Sequence, residues 1–462
     1  MSEFVPSVAA VAGILLAFGF AGWLLAPAFL PRGAPFAAER LGWGFAAGLA
    51  LVALSVPLGF LFRLRPGWPA HLLFAGLALA AGWLLRRRNP RAESRPEAID
   101  RPAPIWLWGL PIAMGCALFG LRAMTEPMWS NDFLAIWGLK GKLIFALGEV
   151  PERLYRDPDL AFSHPEYPLG LPFLYAGIAF LLGRWDDHAM AILFPLIQAA
   201  TLFVLAGWLR RRGAPRSLAL GAAALLALDE RLYSAFHTGL ADIPLSLLLL
   251  LLATSFSDAL DRTDAGAPVR VALASCLIAA TKNEGLFFVA AALLLGFLLG
   301  RETRRRAQPA LSVALLLPAL AVVFAHRLWR GSVPLKDFDF RYLQPSLWGE
   351  LGGRLRETFA VALHEVARPA WPLLAAITIL FIVGRPTPSS DRLLALAAIA
   401  GAAYLILPAF GIFPASPEFG PIFLVRTALG RTFSALSPLV AAGITGRLTA
   451  IFDRRARAED TN

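Results

Sequence analysis

The sequence predicts an all-α, polytopic membrane protein of about 11–13 transmembrane helices, with interfacial or re-entrant helices at its outer face. Hydrophobic residues make up 57% of the chain and charged residues only 16%, against roughly 25% charged in a soluble domain. Apolar runs long enough to cross a bilayer recur along the whole chain. Such runs must be helical, because backbone polar groups in lipid have to be satisfied within each segment.

The net charge of +11 is carried by short basic clusters at the ends of these runs, which favours a topological role over nucleic-acid binding. The positive-inside bias predicts that residues 86–101, 210–216 and 301–306 are cytoplasmic. It places residues 127–168 and 331–359 outside. The expected location is a bacterial-type inner (plasma) membrane, with the functional site on the non-cytoplasmic side.

The chain is predicted to divide into three regions. Residues 1–103 are predicted as N-terminal spans with a basic cytoplasmic loop. Residues 104–300 are a core with an outer loop at 123–168, and residues 301–462 are C-terminal helices with further outer loops. The predicted spans lie at about 8–30, 41–62, 68–85, 104–122, 189–209, 217–236, 243–257, 309–329, 369–384 and 392–413, with a last span ending near Arg447.

Two apolar segments do not fit a simple count of crossings. Residues 169–183 are short and begin near Pro172, and a full crossing there would move the basic cluster at 210–216 outside. This segment is therefore predicted to be interfacial or re-entrant. Residues 271–299 are interrupted by the polar sequence TKNEG at 281–285 and are predicted to form two short helices.

The stretch 127–172 is the most polar part of the core and contains two candidate motifs. Asp132 in WSNDF is either a helix N-cap or a carboxylate that acts on a substrate at the membrane boundary. The sequence HPEYP at 164–168 is either a rigid turn or a source of titratable groups, since two prolines fix its backbone. Aromatic residues of the types found at membrane–water boundaries accompany these motifs, among them Trp129, Trp137 and Tyr167.

Further candidates lie at the ends of later apolar runs. Asp242 in HTGLADIP is either an N-cap or a second acid of the same cavity, and His237 beside it is the weaker candidate. Lys282 and Glu284 interrupt an apolar run, where ionisable groups are costly and indicate function unless they form a mutual ion pair.

Two arginines, Arg426 and Arg431, lie before the last span on the outer side. They either extend to lipid headgroups or bind phosphate through their guanidinium forks.

The order WSNDFLAIWGLKGK, HPEYPLGLPFLY, HTGLADIPLSLLLLLLA and TKNEGLFF resembles the GT-C glycosyltransferases, which are integral membrane enzymes such as the aminoarabinose transferase and the protein O-mannosyltransferases. The resemblance covers residues 104–300 well, and beyond them only the outer arginines. It implies a GT-C-like fold and transfer of a sugar from a polyprenyl-phosphate-linked donor to a glycan, lipid or protein acceptor. Membrane lipids are further expected partners.

The resemblance also implies roles for the candidate residues. Asp132 matches the acid that acts on the acceptor, Asp242 matches a second-loop acid, and His164 belongs to the proline motif. Lys282, Arg426 and Arg431 would neutralise the donor phosphate. The residues expected to contact substrate are Trp129, Trp137, Lys140, Glu166, Tyr167, His237 and Glu284. The chain has one Asp at each place instead of an acidic pair, so no cofactor is certain and a divalent metal stays open.

Two alternatives to a transferase of the cell envelope remain at this stage. A transporter or flippase of a lipid-linked or anionic substrate would also use an intramembrane lysine and broken helices. A structural partner of an envelope assembly would use the polar loop as a docking surface. The sugar, the acceptor and any partner subunit are not fixed by the sequence.

Overall fold

The computed structural model describes residues 4–30, 37–88, 105–261, 266–299, 308–330, 344–364, 387–410 and 430–459, and within these ranges all regular secondary structure is helical. The first nine helices are α1 (Phe4–Leu25), α2 (Ala37–Leu61), α3 (Trp68–Arg88), α4 (Ile105–Thr125), α5 (Gly138–Leu147), α6 (Arg153–Arg156), α7 (Gly170–Leu182), α8 (Asp187–Met190) and α9 (Leu193–Arg211). The others are α10 (Arg216–Ala227), α11 (Asp242–Asp261), α12 (Ala267–Thr281), α13 (Gly285–Leu299), α14 (Gln308–Arg330), α15 (Trp348–Ala362), α16 (Pro388–Phe410), α17 (Gly430–Ala435) and α18 (Ser437–Glu459).

Seven helical segments within the described ranges are long and apolar enough to cross a membrane, which confirms the prediction of an all-α, polytopic membrane protein. They are Phe4–Ala28, Ala37–Leu61, Trp68–Arg87, Trp106–Thr125, Asp187–Arg211, Asp242–Asp261 and Pro309–Leu328. The predicted span at 369–384, the cytoplasmic cluster at 301–306 and most of the loop at 86–101 lie outside the described residues.

The predicted helix break at TKNEG is confirmed, whereas the predicted span at 217–236 is shorter than expected. TKNEG separates α12 from α13, and α7 has 13 residues, about 20 Å of helix. The α7 helix is buried against α2 and α5, and its interfacial or re-entrant position stays a prediction. The predicted span at 217–236 is wrong at its C-terminal end, because α10 stops at Ala227 just before the charged sequence at 229–231.

The centre of the bundle is α11, which packs against α9, α12, α13, α16, α17 and α18. Its apolar run is buried on every face, as expected for a helix that is hydrophobic all round. Close packing elsewhere uses small residues, as is common between membrane helices. Gly44 and Gly48 of α2 bring its backbone against Gly22 and Phe18 of α1, where a β-carbon would have no space.

Charged residues occur at both ends of α11. Asp242 begins the helix and Asp258 lies near its end, about 24 Å away along the axis. The antiparallel helix α12 supplies a cation to each, since Lys282 follows its last residue and Arg270 lies in its first turn. The two polar regions of the molecule therefore lie at opposite ends of one helical hairpin.

Candidate functional site

Asp132 lies at the start of a π-helical turn, Phe133–Trp137, that leads directly into α5. Turns of this kind occur often at functional sites. Its side chain does not cap the helix, so the N-cap interpretation is wrong for Asp132. Instead, Asp132 Oδ2 accepts a hydrogen bond of 2.6 Å from Arg431 on α17, and both side chains keep contact with solvent, at 37% and 20% exposure.

Asp242 and Lys282 form a buried ion pair where α11 begins and α12 ends. Lys282 Nζ donates a hydrogen bond of 3.1 Å to Asp242 Oδ1 and lies 3.6 Å from Glu284 Oε1. The side chains of Asp242 and Lys282 are only 3% and 9% exposed. The ion pair proposed for Lys282 and Glu284 is therefore present, but the closer partner of the lysine is Asp242.

Arg431 and Tyr167 connect these two pairs into one charged cluster. Burial lowers the pKa of the Arg431 guanidinium, but the carboxylates of Asp242 and Asp132 hold that pKa above its usual value. The Tyr167 hydroxyl donates a hydrogen bond of 3.1 Å to Glu284 Oε1. Burial and the carboxylate of Glu284 raise the pKa of Tyr167 well above its usual range, so the hydroxyl remains a neutral donor.

We refer to Asp132, Asp242, Lys282, Glu284 and Arg431 as the charged cluster. Its three carboxylates and two cations come from segments up to 299 residues apart in sequence. Because each cation already contacts a carboxylate, an anion entering the cluster would have to compete for it. Conversely, an entering anion would release a carboxylate that can then accept a proton.

The HPEYP turn lies beside the charged cluster. His164 Nδ1 is 3.0 Å from Glu166 Oε1, and Asn283 Nδ2 donates a hydrogen bond of 3.0 Å to the Glu166 carbonyl oxygen. The rings of His164 and Tyr167 have centroids 5.4 Å apart. His164 is thus adjacent to the cluster through Tyr167.

The remaining predicted substrate residues divide into buried and exposed groups. Trp137 and Lys140 are buried, with the Trp137 ring against Tyr167 and the Lys140 ammonium on the His164 carbonyl. Trp129 is 48% exposed and packs edge-on against Phe236. Arg426 lies outside the described residues.

His237 is buried beside the charged cluster. Its Nδ1 lies 3.2 Å from Ser234 Oγ and 3.1 Å from the Leu232 carbonyl oxygen. Burial holds its pKa below the usual value, the Asp242 carboxylate opposes this, and the Arg431 cation adds to it. The ring is therefore largely neutral near pH 7.

A glycine that sequence analysis did not single out joins the two acidic segments. Gly239, in the loop before α11, has φ +86°, a left-handed conformation that favours glycine. A β-carbon there would lie 2.7 Å from the Phe133 ring, and Tyr175 donates a hydrogen bond of 3.0 Å to the Gly239 carbonyl oxygen. The Phe133 and Tyr175 rings meet edge-on at 5.6 Å. The glycine of the HTG sequence is visible in the sequence, but its contact with the Phe133 ring is revealed only by the tertiary structure.

An apolar groove of about 250 Å³ opens next to the charged cluster. It is lined by α2, the start of α7, α11, α12 and α14. Pro168, Pro244 and Thr281 line it, and they lie within two residues of Tyr167, Asp242 and Lys282 respectively. The groove therefore adjoins the segments that carry the charged cluster, although none of the cluster's five side chains lines it.

A second ionic network, which sequence analysis missed, lies at the other end of α11. Arg211 makes paired hydrogen bonds to Glu39 at 2.6 and 3.0 Å and to Asp258 at 2.7 and 3.1 Å. Arg212 and Arg270 also pair with Asp258, at 2.6 and 3.0 Å. Part of the basic cluster at 210–216, for which the sequence predicts a topological role, is a buried support that ties α2, α9, α11 and α12 together.

The described residues contain no group of three or more His, Cys, Asp and Glu side chains with the geometry to hold a metal ion.

Comparison of the chain with protein-family models and with curated proteins found no match. The fold and site define an all-α membrane protein with a charged cluster at one end of its bundle. The resemblance to the GT-C glycosyltransferases stays a prediction.

Proposed function

We propose that the protein is a membrane glycosyltransferase of the GT-C type, which moves a sugar from a polyprenyl-phosphate-linked donor to an acceptor on the non-cytoplasmic face. The observation that carries the proposal is the position of the charged cluster beside an apolar groove. A lipid-linked sugar phosphate has the same two parts, an apolar chain joined to an anionic head. The proposed enzyme belongs to the cell envelope.

The charges of the cluster suit the chemistry of sugar transfer. The donor phosphate would take over Arg431, and with Lys282 this cation would stabilise the phosphate as it leaves. Asp132, released from Arg431, would then accept the proton of the acceptor hydroxyl. The acceptor oxygen forms a bond to the anomeric carbon while the bond from that carbon to the phosphate oxygen breaks, and the phosphate keeps the electron pair. One base acting directly on the acceptor gives inversion at the anomeric carbon.

The positions of the other residues support a division of roles. Asp242 is paired with Lys282 and only 3% exposed, so it suits holding the cation more than accepting a proton from a substrate. Trp129, exposed beside Asp132 in sequence, suits an acceptor-binding role. Asp132 is the more accessible acid, which supports it as the base.

A second candidate function is transport of a lipid-linked anion across the membrane. It is favoured by the break between α12 and α13, which places the buried Lys282–Asp242 pair where two short apolar helices meet. Transporters use such discontinuous helices to bind ions. Transport and transfer differ in their products, since only transfer changes the covalent structure of the acceptor.

Lipid and glycan profiling of a deletion strain tests the proposal. Strains complemented with wild type, with Asp132→Asn and with Lys142→Met as a control would be compared by mass spectrometry. Transfer predicts that unmodified acceptor accumulates in the deletion strain and with Asp132→Asn, but not with the control. Accumulation of a donor on one side of the membrane, with acceptor unchanged, would contradict transfer and support transport.

A further inference from the structure

Lys140 is one of the most buried charged side chains in the described residues. It lies on α5 with 0% of its surface exposed, and its Nζ donates a hydrogen bond of 2.5 Å to the main-chain carbonyl oxygen of His164. Placing an ammonium group away from water is costly, so a buried lysine requires strong hydrogen-bond partners. Lys142, two residues along the same helix, is exposed. The burial of Lys140 argues against direct contact with a substrate.

The carbonyl that Lys140 binds belongs to an unusual backbone position. His164 has φ +55°, in the left-handed region that is uncommon for residues other than glycine. The same His164 carbonyl oxygen also accepts a hydrogen bond of 3.0 Å from the Tyr167 main-chain N–H, which closes the turn. Lys140 is therefore hydrogen-bonded to the carbonyl oxygen that closes the HPEYP turn.

The far side of this turn contacts the charged cluster. Tyr167 donates its hydroxyl to Glu284 at 3.1 Å, and the Glu166 carbonyl accepts a hydrogen bond from Asn283 at 3.0 Å. Glu284 and Asn283 belong to the polar break that carries Lys282. A continuous series of contacts thus runs from the Lys140 ammonium, through the turn, to the cation of the proposed active site.

We propose that Lys140 is a positioning residue. Its buried ammonium holds His164 of the HPEYP turn in the left-handed backbone conformation and so places Tyr167 and Glu284 against Lys282. The proposal rests on the proposed function, because it assumes that the charged cluster is the working site. It assigns Lys140 an action through the main chain, in place of the direct substrate contact that the sequence predicted.

Hydrogen–deuterium exchange of the full-length protein in detergent tests this role. In Lys140→Met, the non-proline amides of residues 163–167, above all the Tyr167 amide that closes the turn, should exchange at least about tenfold faster, which corresponds to about 1.4 kcal/mol in the local opening equilibrium. Amides of α11 should keep wild-type protection. Lys140→Arg, which retains a charged donor, should restore part of the protection. Lys142→Met is the matched control and should match wild type throughout.

Binding and turnover separate positioning from substrate contact. The affinity of Lys140→Met for a C55 polyprenyl phosphate should stay within about threefold of wild type, while kcat per folded protein falls about tenfold or more and Lys140→Arg recovers part of it. Loss of affinity with unchanged exchange at 163–167 would overturn the proposal, because it would indicate direct contact. Faster exchange over the whole chain in both Lys140→Met and Lys140→Arg would also overturn the proposal. If no transferase activity exists, the exchange result still decides the role of Lys140, so the two failures are distinguishable.

Discussion

Removal of the Lys282 charge is the perturbation whose effect the structure defines most clearly. Lys282→Met leaves the Asp242 carboxylate, 3% exposed, without its closest cation at 3.1 Å. Breaking a buried ion pair on one side costs about 3–5 kcal/mol. The Asp132–Arg431 pair is 37% and 20% exposed, so Asp132→Asn should cost only about 1 kcal/mol or less. Lys282→Met and Asp132→Asn should therefore differ clearly in their effect on the free energy of unfolding.

The assay is an unfolding titration in mixed detergent micelles, with Lys142→Met as a control for loss of an exposed lysine. The double variant Lys282→Met/Asp242→Asn removes both charges of the pair and should regain about half or more of the stability lost in Lys282→Met. A Lys282→Met variant within about 1 kcal/mol of wild type would refute the reasoning. So would a double variant no more stable than the single one, since the cost would then not arise from an unpaired carboxylate.

Three further predictions concern the surroundings of the charged cluster. Gly239 has φ +86°, and a β-carbon there would lie 2.7 Å from Phe133, so Gly239→Ala should destabilise the protein by about 1–3 kcal/mol and lower turnover. Gly213→Ala is the control in the same unfolding titration: Gly213 has φ +90° but open space around it, so this variant isolates the conformational cost. Because burial holds the pKa of His237 below its unfolded value of about 6.5, its contribution to stability is present above that pH and is lost as the pH falls below it. Thermal midpoints between pH 7.5 and 5.5 should therefore fall less in His237→Gln than in wild type, and parallel curves would contradict this. Arg270→Met should lower the free energy of unfolding by only about 1.5–3 kcal/mol, because Asp258 keeps Arg211 and Arg212 as partners. It should leave kcat per folded protein unchanged, since Arg270 lies at the opposite end of α11; a matching loss of kcat would show that the two ends are coupled.

The helices of this fold were predictable because their signals are local. Apolar runs interrupted by TKNEG at 281–285 indicate two short helices, and α12 and α13 form as predicted. The position of α7 was not predictable in the same way. Its short length is visible in the sequence, but its burial against α2 and α5 depends on tertiary packing. Likewise, the early end of α10 depends on charges at 229–231 that were included in a predicted span.

The residue types of the candidate site were predictable from the sequence, but the ion pairs that these residues form were not. An isolated acid such as Asp132 carries no sequence signal for a partner 299 residues away, yet it meets Arg431 at 2.6 Å. Glu284 was the partner expected for Lys282 from proximity in sequence, whereas Asp242 is closer in space. Arginines at a span end carry the same signal whether they face water or bind buried acids, which is why the role of Arg211 was missed.

The most direct test of the central claim is sugar transfer in proteoliposomes, measured with the acceptor that accumulates in the deletion strain and a labelled lipid-linked donor fraction. Wild type should move label to the acceptor and release polyprenyl phosphate, and Asp132→Asn should bind the donor with similar affinity while transferring at least about a hundredfold more slowly, the lower range for loss of a general base. Transfer by Asp132→Asn at the wild-type rate would contradict the account.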